Sequence, residues 1–156
     1  MNACDYRAVA FDGAVYCTGC LPEGISEKNE CVHPVFASSE WDYYPTCDHC
    51  HEVHDYVILT AHGVRQLWKS QLPKDLRDLA DANDDTLPGF AWPGGYPMYY
   101  LDKDNGKLCA KCASRPDIDQ GQLPIAYGVH YEGESIWCED CNAEIPSAYG
   151  NPEKGA

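Results

Sequence analysis

The sequence predicts a small α+β protein in which two cysteine-bearing β-hairpin modules flank a short helical segment. Three observations support this fold class. Eight of the ten cysteines form four Cys-x-x-Cys pairs, which fall in two spans of nearly equal length. Turn signals such as Asp-Gly and Asn-Gly precede the pairs, as in β-hairpins. A helical spacing of apolar residues occurs between the two spans, in residues 61–83.

The cysteine pairs are duplicated. They are Cys17 and Cys20, Cys47 and Cys50, Cys109 and Cys112, and Cys138 and Cys141. The gap between pairs holds 26 residues in the first half and 25 in the second, so a shift of 91 or 92 positions lays one half on the other. Two such pairs can surround one tetrahedral ion and complete a closed Cys4 site, the kind that structural zinc occupies. The pattern therefore predicts a metal-stapled protein with all eight cysteines as ligands.

Disulfide bonds within or between the pairs are the alternative. The N-terminus has neither the basic region nor the apolar region of a signal peptide, which favours a cytoplasmic location where thiols stay reduced. No run approaches 18 apolar residues, so we expect no membrane span. A dithiol redox site of the thioredoxin kind needs a βαβ context, which this sequence does not provide.

Turn chemistry predicts the local geometry of the modules. The signals "DGAVYC", "NGKLC" and "EGESIWC" predict hairpins before three of the pairs. The residue after a pair often needs positive φ, which His51 and Asn142 tolerate better than most residues. Leu21 and Ala113 do not, so the first pair of each half is expected to turn differently.

These residues carry a resemblance. Hairpins that deliver Cys-x-x-Cys pairs about 25 residues apart resemble the zinc ribbon, and also rubredoxin. More narrowly, "YYLDKDNGKLCAKCA" followed by "IWCEDCNAEIPSAYG" is similar to small double zinc-ribbon proteins of bacteriophages and mobile elements. The likeness covers most of residues 98–150 and, more loosely, 9–60. It implies metal binding at the eight paired cysteines and no particular activity. We expect two Zn²⁺ ions, with iron as the other metal that the spacing permits.

The resulting organisation has four segments. They are a first zinc-ribbon module in 1–60, a helical linker with an aromatic loop in 61–97, a second zinc-ribbon module in 98–150, and a flexible tail in 151–156. Pro73 favours two helices in the linker, at about 62–71 and 73–82. The loop 88–97 is expected to place Phe90, Trp92 and Tyr96 in a crevice between the modules.

Other potential ligands lie outside the pairs. Cys4, Cys31 and His33 could form a third site with one more histidine, although a free cysteine is more often a small buried apolar residue. In "HEVH", His51 and His54 stand at i and i+3, whereas the metalloprotease motif needs i and i+4 on a helix. His51 is better explained as a turn residue, and Glu52 and His54 as ordinary positions at the start of a strand.

A second motif that is similar to a catalytic signature also lacks the spacing that the signature requires. His130 and Glu132 before "CEDC" are similar to the zinc deaminase signature, but only five residues separate Glu132 from Cys138. That signature needs a helix and a strand between its two parts. The sequence therefore predicts no catalytic residues.

The net charge of the chain indicates which kind of macromolecule it can bind. The chain has 25 acidic and 11 basic residues, a formal net charge of −14, which disfavours nucleic acid and suits a basic protein. We predict a non-enzymatic zinc-binding protein that acts through protein–protein interaction. A rubredoxin-like iron electron carrier and an acidic DNA mimic that inhibits a nucleic-acid-binding enzyme are the alternatives.

Overall fold

The computed structural model describes residues 5–150. The chain divides into two compact units, Met1–Val64 and Arg65–Ala156. Both contain short strands, and the helical residues lie between and within the cysteine-bearing segments, so the chain is a small α+β protein with several small sheets. The predicted tail, 151–156, lies outside the described residues. Across the described part, every helix is too short or too polar to cross a lipid bilayer.

The first unit contains a three-stranded antiparallel sheet in the order β2-β1-β3. The strands are β1 (Tyr6–Phe11), β2 (Ala14–Cys17) and β3 (His33–Phe36). Asp12 and Gly13 connect β1 to β2, and both have positive φ, 50° and 79°. The hairpin predicted from Asp-Gly is therefore confirmed, and its register pairs Cys17, the last residue of β2, with Ala8 of β1.

A second, smaller sheet in this unit pairs β4 (Glu40–Trp41) with β5 (Ile58–Leu59) in parallel. The apolar core beside it is small, since its buried members are Ala8, Val35 and Val57. Tyr56 ties the core to the first sheet: its hydroxyl donates to the carbonyl of Val35 at 2.8 Å and accepts from the N–H of Ala8 at 3.1 Å. This unit therefore has little apolar burial with which to offset the entropy of folding.

The second unit is built on a sheet with β7 (Tyr96–Leu101) at its centre. Antiparallel to β7 lie β6 (Phe90–Ala91), β8 (Lys107–Leu108) and β9 (Ala126–Val129). A separate two-stranded sheet pairs β10 (Ile136–Trp137) with β11 (Glu144–Ile145).

Two of the predicted hairpins differ from the sequence expectation. Between β7 and β8, Asn105 has positive φ (64°) but Gly106 does not, so the tight two-residue turn is replaced by a longer loop. The Asp102 carboxylate holds this loop by accepting from the N–H groups of Asp104 at 2.9 Å and Gly106 at 2.7 Å. The hairpin expected at "EGESIWC" is wrong, because β9 pairs with β7 while β10 pairs with β11.

The predicted helices are present, with ends that differ by one residue. They are α1 (Ala61–Gln71) and α2 (Lys74–Asp81), and Pro73 precedes α2 as its N-cap. Short helices follow at α3 (Ala110–Ala113) and, with 3₁₀ geometry, Gln120–Gln122. Lys69 of α1 pairs with Asp81 of α2 at 2.7 Å and also with Asp85 in the turn after α2.

The core of the second unit combines helix, sheet and cysteine side chains. Trp68 of α1, Leu72 directly after α1, and Leu76 and Ala80 of α2 pack in one buried cluster with the sheet residue Tyr100. Further buried members of the cluster are Leu87, Leu108, Cys112, Ala113, Ile118, Cys138 and Ile145. Two of the paired cysteines are therefore part of the apolar core itself.

The aromatic loop differs from its prediction. Phe90 is 62% exposed and Trp92 is 92% exposed, and only Tyr96 is half-buried. Trp92 is exposed because it lies in the connection between β6, which ends at Ala91, and β7, which begins at Tyr96, whereas Phe90 lies within β6 itself. The expectation that these rings fill a crevice is therefore wrong for Phe90 and Trp92.

Leu76 offers a test of this core. It is fully buried, whereas Leu67 on the neighbouring helix is 41% exposed. We expect Leu76→Ala to lower the free energy of unfolding by about 2–5 kcal/mol, because the substitution leaves a cavity. Leu67→Ala, the matched control, should cost about 0.5 kcal/mol. Urea denaturation of both metal-loaded variants measures the difference, and equal losses would contradict the assignment of Leu76 to the core.

Candidate metal centres

The structure brings the eight paired cysteines together in two groups of four. Within each group the four sulfur atoms all lie within 4.8 Å of one another. The groups are Cys17, Cys20, Cys47 and Cys50, and Cys109, Cys112, Cys138 and Cys141. Each group can hold a metal ion, and together they fit a double zinc-ribbon-like arrangement.

The sulfur separations suit a tetrahedral ion. The Sγ atoms of Cys17 and Cys50 are 3.5 Å apart, and those of Cys109 and Cys141 are 3.8 Å apart. Four sulfurs that each lie 2.3 Å from a tetrahedral zinc ion are about 3.8 Å from one another. A disulfide would hold two sulfurs at about 2.05 Å, and the nine cysteines of the described part are all free thiols. The geometry therefore matches metal binding better than the disulfide alternative.

The second cysteine pair of each half has the same backbone conformation and hydrogen bonding, which we call the shared backbone frame. The N–H of His51 donates to the carbonyl of Cys47 at 2.8 Å, and 91 positions later Asn142 makes the same bond to Cys138, also at 2.8 Å. Both residues that donate have positive φ, 62° for His51 and 55° for Asn142. The predicted turn residues are confirmed, and the repeat seen in the sequence extends to the backbone hydrogen bonds.

The first pair of each half turns differently, as predicted. Cys17 is the last residue of β2, whereas Cys109 caps the N-terminus of α3, which carries Cys112. The residues after these pairs, Leu21 and Ala113, do not have positive φ. The two halves therefore share the frame of the second pair and differ in how the first pair is presented.

Backbone N–H groups point at one sulfur in the first group. The Sγ of Cys47 accepts from the N–H of Cys17 at 3.3 Å and from that of Cys50 at 3.5 Å. Burial opposes ionisation of this thiol, but the N–H groups of Cys50, Cys17 and His49 outweigh burial and lower the pKa of Cys47 to about 6. Cys47 is therefore the sulfur in this group that loses its proton most readily before a metal binds.

Cys138 has the same role in the second group. Burial again opposes ionisation, but the N–H groups of Cys109, Cys141 and Asp140 lower the pKa of Cys138 to about 7. Its partner Cys112 behaves in the opposite way, since burial and then the Asp140 carboxylate raise the pKa of the Cys112 thiol. A metal ion must displace that proton, so metal binding in this group is coupled to proton release.

The first group has a histidine and a glutamate beside Cys17 that have no counterpart at the matching positions of the second group. His54 is 2% exposed, and its Nε2 lies 3.7 Å from the Sγ of Cys17. The Glu52 carboxylate contacts the same sulfur at 3.4 Å. The prediction that both are ordinary positions at the start of a strand is therefore corrected, because both side chains reach the cysteine group. At the positions 91 further along, the second half has Ala143 and Ile145, which cannot make such contacts.

These neighbours change the chemistry of Cys17. Burial, then the thiols of Cys50 and Cys47, then Glu52 raise the pKa of Cys17. When the proton of His54 is on Nε2, the ring can donate to the Cys17 sulfur and stabilise its thiolate beside a metal. The sequence did contain a signal for this role: when the two halves are aligned, the polar residues Glu52 and His54 match the apolar residues Ala143 and Ile145. Spacing alone did not reveal it, because His54 contacts a cysteine 37 positions away.

The remaining candidate residues lie apart from both groups. Cys31 and His33 are exposed and join neither group, and Cys4 lies outside the described residues. His130 is buried, and its Nδ1 lies 3.3 Å from the carbonyl oxygen of Ile145, so this ring packs against the backbone rather than the cysteines.

Comparisons of the chain with protein-family models, with curated proteins and with solved structures find no match. The zinc-ribbon-like description therefore rests on the two cysteine groups and their shared backbone frame.

The substitution His54→Ile places at this position the residue type found at Ile145, the matching position of the second half. We expect it to weaken metal binding in the first group about tenfold, because loss of a side chain that hydrogen-bonds a metal ligand commonly has an effect of this size. Titration of the Co²⁺-loaded chain with a chelator would resolve the two sites by their loss of visible absorbance. The second group is the internal control, since it has no equivalent histidine. Equal weakening at both sites, or at neither, would contradict a local role for His54.

Proposed function

We propose that this chain is a non-enzymatic zinc-binding protein that acts by binding a basic protein partner. The observation that carries the proposal is the pair of Cys4 groups. Four protein sulfurs fill the coordination shell of tetrahedral zinc, which leaves no open position for a substrate or an activated water molecule. A site of this kind stabilises a fold instead of performing chemistry.

Zinc would have a large effect on stability. Structural zinc sites contribute about 10–16 kcal/mol apparent at neutral pH. The first unit has few buried apolar residues, so its fold would depend on the ion most strongly. The same proposal places the protein in a reducing cytoplasm, that of a host cell if a phage or mobile element encodes it, because the thiols must stay free to bind metal.

The charge supports the choice of partner. A formal net charge of −14 becomes more negative when metal binds, since eight thiolates and two divalent ions add −4 (−8 + 4). Such a surface attracts a protein rich in Lys and Arg and repels a phosphate backbone.

Elemental analysis tests the metal part of the proposal. We expect two zinc ions per chain, one per chain in Cys47→Ser, and still two in Cys31→Ser, because Cys31 is exposed and lies outside both groups. Exhaustive chelation should abolish the circular dichroism signal of the folded chain. A red-brown protein that contains iron after growth with both metals would favour the electron-carrier alternative, and a folded chain without metal would contradict the proposal.

Capture of host proteins on the immobilised, zinc-loaded chain tests the partner. We expect a basic protein that is retained at 0.1 M NaCl and released at about 0.5 M NaCl, because exposed charge contacts are screened. Competition for that protein by duplex DNA would favour the DNA-mimic alternative. Retention of acidic proteins alone would argue against a basic partner.

A further inference from the structure

An open apolar groove lies in the second unit, between the end of α2 and the sheet. Its volume is about 350 Å³. Side chains that line it include Leu79, Phe90, Trp92, Met98, Tyr127 and Val129. Val129 lies opposite Met98 and Tyr127 opposite Tyr100 in the register of β9 and β7, so these four residues share one sheet face. Upstream in α2, Leu76 packs in one cluster with Tyr100, while the groove beside Met98 stays open.

The rim of the groove exposes aromatic surface. Trp92 is 92% exposed and Phe90 is 62% exposed. A large exposed apolar patch is uncommon on a soluble domain unless it binds something, and Trp is among the residues that contribute most to protein interfaces. Small-molecule sites combine an apolar cavity with several convergent polar groups. Here the polar groups in the lining are the Asn83 amide, the Tyr127 hydroxyl and the Trp92 indole N–H, and none of them is charged, which favours an apolar side chain of a protein as the occupant.

The charge beside the groove is acidic. Residues 74–85, which form α2 and the turn after it, contain two basic and five acidic residues. Lys69 of α1 pairs with two of these acidic residues, Asp81 and Asp85, so the net charge of the group is −2 (3 − 5). Asp84 is exposed and directly follows Asn83, which lines the groove. The C-terminus of α2 adds the partial negative charge of its carbonyl groups. Residues 86–101 and 123–130, which supply the sheet side, contain no Lys, Arg, Asp or Glu.

Another cavity of this unit, about 370 Å³, is less suited to a ligand. It is lined by Arg65, Lys111 and Arg115, but both guanidinium groups are already bound. Arg65 donates to the carbonyl of Ser114, and Arg115 pairs with Asp140 at 3.1 Å.

We propose that the groove is the docking site for the basic protein partner. A segment of the partner inserts one large apolar side chain beside Trp92 and Phe90, and flanking Lys or Arg residues contact the acidic end of α2 near Asp84. This assignment rests on the proposed function and adds to it the surface and the sequence character of the partner.

A random dodecapeptide library displayed on phage is the probe. Peptides are selected on the full zinc-loaded chain after depletion on the Trp92→Ala variant. We expect the selected peptides to share a Leu, Ile, Met or Phe residue with Lys or Arg within three positions. Acidic peptides, proline-rich peptides without basic residues, or no peptides that depend on Trp92 would overturn the proposal.

Matched variants locate the binding site of the selected peptide. We expect at least tenfold weaker binding with Trp92→Ala and with Phe90→Ser, and a smaller loss with Asp84→Asn that disappears at 0.5 M NaCl. Tyr43→Ala should leave affinity unchanged, because Tyr43 is an equally exposed aromatic residue (68%) of the first unit. Zinc content and circular dichroism confirm that each variant is folded.

Two further outcomes separate the groove from the wider function. If the wild-type chain sediments as a dimer and Trp92→Ala as a monomer, a second copy covers the groove and the docking proposal is wrong. If a basic host protein is captured equally by wild type and Trp92→Ala, the groove assignment fails while the proposed function stands. A chain that holds no zinc would instead reject the proposed function itself.

Discussion

The close approach of four sulfur atoms is the constraint on which each half of this protein depends. Thiols packed within 4.8 Å of one another cannot all ionise without a cation between them, because their negative charges repel. In the first unit the constraint matters most, since its buried apolar cluster, Ala8, Val35 and Val57, is smaller than the cluster of the second unit. A metal ion there would replace the apolar burial that the unit lacks.

In the second unit the same constraint is joined to a larger core. Cys112 and Cys138 are buried in one cluster with Trp68, Leu76 and Tyr100. Ligand position and apolar packing are therefore coupled in this unit, so a loss of packing would disturb the sulfur geometry, and loss of the metal would expose core residues.

The two halves share the backbone hydrogen bond after the second cysteine pair but differ in the side chains around the cysteines. The bond from His51 to Cys47 and that from Asn142 to Cys138 have the same length, yet Glu52 and His54 face Cys17 where the second half has apolar residues. Polar neighbours alter the charge and hydrogen bonding of a thiolate ligand, and they differ between the sites: Glu52 and His54 lie beside Cys17, whereas Asp140 lies beside Cys112. The two sites are therefore chemically different although their ligands are the same.

Local patterns in the sequence determined the features that depend on few residues. Three such features are present in the structure: the Asp-Gly turn, the positive φ of His51 and Asn142, and the two helices on either side of Pro73. Each follows from short-range sterics and hydrogen bonding. That the eight cysteines meet in two groups was also predictable, because two halves with the same spacing repeat the same solution.

Only the tertiary structure decided the features that join distant residues. His54 reaches Cys17 across 37 positions, and β9 pairs with β7 instead of β10. Trp92 became exposed, against expectation, because strand pairing left it in a connection. Each outcome depends on which segments pack together, and packing is a property of the whole chain that spacing and composition do not encode locally.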